Sequence, residues 1–477
     1  MKRRILTFLI LSFGVSIAAQ ETPTERDAAR DVLRKMAALE QSLDIPRLVA
    51  RVGEANADRD QVVARVKELM DRELLAVADD IATHPEIGFE ERRSIGKLTD
   101  YLRQHDFSIE TGSGGLSTAF VAKYRRNNGA PNLGIIVEYD ALRGTKGAFH
   151  GDQHSAQGPI GLAVAVAVSE FLTRTRTPGS VTVFGTPGEE MMPPNAKTVM
   201  HEAHVFDGTD VIVRSHSSST TARPAHGFGT CCMNIDGTKY TFSGAPAHQL
   251  TSWNGRNALE AVIHLFNNID SVRSSIRPEA RIQGIITEGG AAPNVTPDRT
   301  AADFYIRYPD EVYLAHFDSM VTHAARGAAL ANGTQVEIQR YGEYRDGITL
   351  GTLEELHFAY AKKLGAPKLH EELDRPNGYE ETGFLSRDVP GLGVTVASSN
   401  FANHTYEMTA DNFNEMGHTA FLMDAKIMAA VLYHFLTDAT FREQVKTEHR
   451  TMAQLMDQYI AGLRDVYKQE LSLAVDR

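Results

Sequence analysis

One segment constrains this chain more than any other. Ser180-Val181-Thr182-Val183-Phe184 is a β-rich apolar run that reads as a buried strand. Gly185, Pro187 and Gly188 stop it, and the adjacent carboxylates Glu189 and Glu190 follow at once. In open α/β sheets, ligands gather at the carboxyl ends of strands. Neighbouring carboxylates placed there repel each other unless a cation or a shared proton gives them different roles. One reads as a metal ligand and the other as a general base. A solvated Glu-Glu pair opening a surface helix is the competing reading, and the rest of the chain decides between them.

Two more strands end in the same way. Leu133–Asp140 runs into acidic residues, and Val211–Ser215 runs into His216. Between the first of these and the run at 180–184 lie a polar loop, Gly144 to Gln157, and a small-residue helix, Gly158 to Leu172, giving a strand–helix–strand unit. The texture changes after residue 226. Residues 227–245 alternate and carry glycine, Asn257–Val272 is an amphipathic helix, and Arg281–Glu288 and Thr300–Arg307 are strands. The block 227–343 therefore reads as a small α+β domain inserted into a larger α/β one. The larger domain spans 24–226 and 344–445, with Gly393–Ala397 as a further strand, and 446–477 form a helical C-terminal extension.

The N-terminus carries Lys2-Arg3-Arg4, an apolar stretch from Ile5 to Ala18, and small residues up to Gln20. This is the pattern of a secretory signal, and it predicts a periplasmic or secreted protein without a membrane anchor after cleavage, with a retained N-terminal anchor as the alternative. No later stretch is expected to be long and apolar enough to cross a bilayer. The remaining chain is too long for one ordinary core. A net charge of −12 argues against a nucleic-acid partner. Cys231 and Cys232 are the only cysteines, and adjacent residues are poorly placed to pair.

The candidate chemistry converges on these strand ends. Asp152 and His154 lie in the loop after the first strand, Glu189-Glu190 after the second, His216 after the third, and His404 a few residues after the strand at 393–397. Histidine plus carboxylate from several loops is a zinc-type or manganese-type ligand set. Asp152, His154, Glu190, His216 and His404 are too many for one tetrahedral ion. They suit two ions that share a carboxylate, and Asp152 is the best bridge. Glu189 is then left to move a proton.

Several stretches resemble one family. They are His84-Pro85-Glu86-Ile87-Gly88-Phe89-Glu90-Glu91, Glu138-Tyr139-Asp140-Ala141-Leu142, Gly244-Ala245-Pro246-Ala247-His248 with Gly255-Arg256-Asn257-Ala258-Leu259, and Asn294-Val295 with Pro297-Asp298. Together they resemble the cocatalytic-metal peptidases and amidohydrolases of the carboxypeptidase G and aminoacylase type. Within these they look most like the branch of auxin-conjugate, hippurate and p-aminobenzoyl-glutamate hydrolases. The resemblance runs from about His84 to His434. It implies a mixed-sheet catalytic domain with a ferredoxin-like lid that also makes a homodimer. It implies two divalent ions (Zn, Mn or Co), with Asp152 bridging, Glu190 and His404 completing one site, and His154 and His216 the other. Glu189 would be base and then acid, and His248 would reach a partner's site and stabilise an oxyanion. Asn294 and Arg307 would bind substrate, Arg307 as a carboxylate clamp or, alternatively, as a salt-bridge partner within the lid.

The chain departs from that branch at one loop. The usual H-x-C-G-H-D/N pattern becomes His150-Gly151-Asp152-Gln153-His154-Ser155, with Asp152 in place of the cysteine. This favours harder ions, and a mononuclear site is the alternative. The expectation is an exported metal-dependent hydrolase of N-acyl or N-aroyl amino acids or small dipeptides. Its competitor is an inactive exported protein that binds peptides or acyl amino acids. Trp253, the only tryptophan, is expected to wall a pocket or to sit in a core or dimer interface.

Overall fold

Four mutually parallel strands point their carboxyl ends at one edge of a six-stranded sheet. The computed structural model describes residues 23–126, 129–192, 194–230, 233–372 and 376–471. The signal-like N-terminus and both cysteines lie outside these residues. The sheet order is Ser108–Thr111, Phe120–Arg126, Gly179–Gly185, Asn132–Val137, Val211–Ser215 and Gly391–Val394. The last four are parallel, and Phe120–Arg126 runs antiparallel to Gly179–Gly185. The sheet is therefore mixed, and its Val- and Ile-rich central strands are buried on both faces, as parallel strands are.

The helix His154–Thr175 crosses the sheet between two of these strands, and its small and β-branched residues from His154 to Leu172 are almost all buried. Contrary to expectation, this helix and Glu415–Thr437 are long and apolar enough to cross a membrane. In the fold they are core helices, with 89% and 78% of their apolar windows buried inside the molecule. Each buried Val, Leu or Ile contributes roughly 1.5–3 kcal/mol of apolar transfer.

A separate four-stranded antiparallel sheet has the order Arg281–Glu288, Arg299–Tyr308, Asn234–Ser243, Gln335–Tyr344. With helices Ala258–Val272 and Glu311–Ala331 it makes the β–α–β–β–α–β arrangement of a ferredoxin-like unit. Its own core holds Tyr240, Phe242, Leu265, Phe304 and Phe317. The C-terminal extension turns out to be one helix, Ala439–Leu471. Phe441, Val445, Met452 and Met456 pack into the large core, whereas Leu463 and Tyr467 pack into the small one. One amphipathic helix thus tethers the two units, a role that its polar sequence does not announce.

Candidate metal centre

The strand Gly179–Gly185 ends where the sequence predicts, and Glu189-Glu190 follow in a turn rather than on a helix. The close approach of two glycines fixes that turn. A Cβ on Gly88 would lie 2.7 Å from the Gly188 Cα, and Gly188 has φ +63° with the Phe89 ring 2.6 Å from where its Cβ would be. Only glycine satisfies both demands at Gly188. Glu91, fully buried, accepts hydrogen bonds from the Gly188 N–H (2.8 Å) and the Thr118 hydroxyl (2.7 Å). The segment from His84 to Glu91 is therefore a brace for the acidic turn. Burial raises the Glu91 carboxyl to about 7, the bond from Thr118 opposes this, and Asp140 adds to it.

Asp140 joins two of the predicted ligands. Its Oδ1 lies 3.0 Å from His154 Nδ1, and its Oδ2 accepts the Glu190 N–H at 2.9 Å. Such a carboxylate orients a ligating imidazole and fixes its tautomer, leaving Nε2 to face the site. His154 Nε2 and Glu190 Oε1 are buried with no hydrogen-bond partner. Donor atoms of Asp152, His154 and Glu190 lie within 4.8 Å of one another. His404 Nε2 lies 3.1 Å from Asp152 Oδ2 and 3.6 Å from Glu190 Oε2, and His216 Nε2 lies 3.9 Å from Asp152 Oδ2. Asp152 stands between the two histidines that the sequence reading assigns to different ions.

The electrostatics call for a cation. Burial alone would lower the His154 pKa. The bond to Asp140 and the charges of Asp140, Glu138 and Glu190 outweigh burial and hold it well above the usual histidine range. Burial pushes Glu190 up to about 7, with His154 opposing and Asp152 adding. Burial, then Glu381, Glu138 and Glu190, holds Glu189 well above the carboxylate range. A divalent ion at these atoms relieves all three. Asp152, His154 and Glu190 fit a metal on this ground, with orphaned buried atoms on His154 and Glu190 and a surplus of buried negative charge.

Glu138 also comes near His154 and His216, yet its oxygens are committed elsewhere. Its Oε2 accepts from Gln157 (2.7 Å), and its Oε1 accepts from Lys197 and, at 2.9 Å, from Arg214. Lys197 and Arg214 also bind Glu381, at 2.5 and 3.1 Å. This buried square of two cations and two carboxylates walls the site behind Glu189. Nothing in the sequence announces it, because Glu381 lies far along the chain from Glu138 and nothing local marks Lys197 as buried.

A cavity of about 590 Å³ opens over these groups. The large unit contributes Asp152, Glu189, Glu190, His216 and His404, and the small unit contributes Tyr305, Arg307 and Tyr344. Arg307 thus faces the same cavity as these carboxylates. His248 and Asn294 do not line the cavity. Both are exposed, with the Gln249 N–H bonded to the Asn294 carbonyl at 3.1 Å. Trp253 is 78% exposed, so within one chain it neither walls the cavity nor joins a core. His150 is buried and, lowered by burial to about 3, stays neutral. His404 adopts φ +66°, a strained backbone for a non-glycine residue and of the kind held at functional sites.

No protein-family model matches the chain. It is 27% identical over 399 residues to human Xaa-Arg dipeptidase, covering 80% of this chain and 89% of that protein. It is 26% identical to a p-aminobenzoyl-glutamate hydrolase polypeptide of Escherichia coli, covering 78% of this chain and 91% of the relative. Among solved structures, a Bacillus subtilis protein described as a dinuclear metal-binding peptidase of the M20 family superposes with a TM-score of 0.54. It shares 18% identity and covers 77% of this chain and 98% of its own. At that identity the match speaks for the fold, which has the same two-unit architecture.

Proposed function

We propose that this chain, a distant homologue of the M20-family peptidases, hydrolyses the amide bond of small dipeptides or N-acyl amino acids with the help of two divalent ions. The observation that carries the reading is the convergence of Asp152, His154 and Glu190 on one point beside Glu189, with two buried donors left unpartnered. Glu190 and His404 would hold one ion, His154 and His216 the other, and Asp152 both. The ions would supply Lewis acidity toward a water and toward the scissile carbonyl. Glu189 takes the proton of the attacking water and passes it to the departing amine. Asp140 keeps the His154 ring in place. Arg307 receives the free carboxylate of the substrate.

The cavity wall supports a preference for the rest of the substrate. Glu354, Glu372 and Glu380 line it, and none has an Arg or Lys ion-pair partner among the described residues. A cationic side chain offers the missing charge. The relative named Xaa-Arg dipeptidase acts, by its name, on such an end.

A homodimer accounts for His248 and Asn294, which stand apart from the cavity of their own chain. The small unit also exposes Leu250, Trp253, Val295 and, on its edge strand, Ile285 and Ile286. Exposed apolar side chains on a unit with an open sheet edge favour a second copy, and His248 would then serve the partner's cavity. Export follows from the charged and apolar N-terminal segment. Sedimentation of the purified protein tests the dimer, and N-terminal sequencing of the exported form tests the cleavage.

Elemental analysis of purified protein, with a panel of dipeptides and N-acyl amino acids, tests the activity. We expect about two ions per chain and chelator-sensitive cleavage, fastest on dipeptides with a basic residue. Absence of both metal and cleavage after reconstitution would overturn the hydrolase and leave a binding protein.

A further inference from the structure

The carboxylate at the centre of the site meets different partners on its two oxygens, a serine and an asparagine on one and the ligand histidines on the other. Asp152 Oδ1 accepts hydrogen bonds from the Ser217 hydroxyl and from the Asn403 side-chain amide. The two donors are themselves joined, since Asn403 Nδ2 lies 2.9 Å from Ser217 Oγ and 3.3 Å from the Ser217 carbonyl. That carbonyl also accepts from His216 Nδ1 at 3.1 Å, which turns His216 Nε2 toward the site. Ser217 adjoins His216 and Asn403 adjoins His404, so each flanking ligand brings its own donor. Asp152 Oδ2 is left facing His404 Nε2 at 3.1 Å and His216 Nε2 at 3.9 Å. Asp152 and Ser217 are both nine-tenths or more buried, so water does not compete for Oδ1.

We infer that Ser217 and Asn403 are positioning residues that make Asp152 a one-atom bridge, presenting Oδ2 to both ions and keeping Oδ1 out of the coordination. This rests on the two-ion reading above. The geometry gives a reason for the clamp. At this position the resembling branch carries a cysteine, whose sulfur is a single donor atom. An unrestrained carboxylate offers two oxygens, and a bridge through both spaces two ions farther apart than a bridge through one. With Oδ1 occupied by an O–H and an N–H donor, the aspartate keeps the one-atom geometry around which His216 and His404 are arranged. The substitution of Asp for Cys and the pair Ser217–Asn403 would then be parts of one device.

The test is X-ray absorption spectroscopy of zinc-loaded protein, with metal content and chelator competition measured alongside. For the wild type we expect two ions with a metal–metal vector at or below the short end of the range of about 3.5–4 Å usual for such pairs. In S217A/N403A the vector lengthens, and zinc affinity falls roughly 10–100-fold, as for other loss of support to ligands. Ser217→Thr, which keeps the hydroxyl, leaves the vector as in the wild type. An unchanged vector in S217A/N403A with two ions bound would overturn the clamp and leave the dinuclear reading intact. A single ion in the wild type would instead overturn the dinuclear reading. If the double variant fails to fold, the single variants S217A and N403A give the same readout.

Discussion

Lys197→Met tests the charge balance behind the site. Lys197, Arg214, Glu138 and Glu381 form a buried neutral set in which the side-chain exposures are 2%, 11%, 0% and 9%. The methionine keeps the length of the stem and removes the ammonium. Two ionic contacts are lost, each roughly 4 kcal/mol at an effective dielectric of about 20, and the cost of burying the ammonium is recovered. What remains is an unbalanced buried carboxylate, and the net loss is about 3–5 kcal/mol. In the wild type, burial disfavours ionised Glu138, yet Lys197 and Arg214 hold its carboxyl well below the usual range. Its stabilising contribution is therefore complete above the unfolded carboxylate pKa and is lost as pH falls through the lower folded value. In the variant Glu138 can take a proton instead, so the deficit shrinks from pH 8 to pH 5. Urea unfolding followed by far-ultraviolet circular dichroism measures this at both pH values. Glu138→Gln combined with Lys197→Met removes one charge of each sign and should recover much of the loss. A single variant within about 1 kcal/mol of wild type at pH 8, the range of an exposed pair, would refute the reasoning, as would a double variant no better than the single one.

Glu189→Gln should keep its metal content by elemental analysis while turnover falls roughly 10²–10⁴-fold, the usual loss of a general base; normal turnover would remove Glu189 from that role. Arg307→Ala should raise KM about 10–100-fold on substrates with a free carboxylate and leave the corresponding amides unaffected, as expected for a charged hydrogen bond of about 1.5–3 kcal/mol. An equal effect on both substrate types would make Arg307 a residue of lid structure. Glu91 has its pKa raised from 4.5 to about 7 by burial, so the folded state binds its proton more tightly. Its contribution is present below pH 4.5 and is lost as pH rises through about 7. Glu91→Gln should therefore flatten the fall in stability between pH 5 and pH 8 by about 3 kcal/mol in urea unfolding.

The local features of this protein are legible in its sequence. The apolar run before Gly185, the alternation between 227 and 343, and the polar residues after each parallel strand depend on periodicity and turn chemistry over a few positions. They gave the α/β class, the inserted ferredoxin-like unit and the strand-end placement of Asp152, His154, Glu190, His216 and His404. What surrounds them depends on contacts between distant segments. Asp140 tying His154 to Glu190, the Lys197–Arg214–Glu138–Glu381 square, the Ser217–Asn403 clamp and the brace from Glu91 all join residues distant in the chain. The same limit explains the apolar helices His154–Thr175 and Glu415–Thr437, whose composition fits a membrane span as well as a core. Hydropathy and spacing record what a residue prefers. Which partner satisfies a buried charge depends on where folding brings a distant segment.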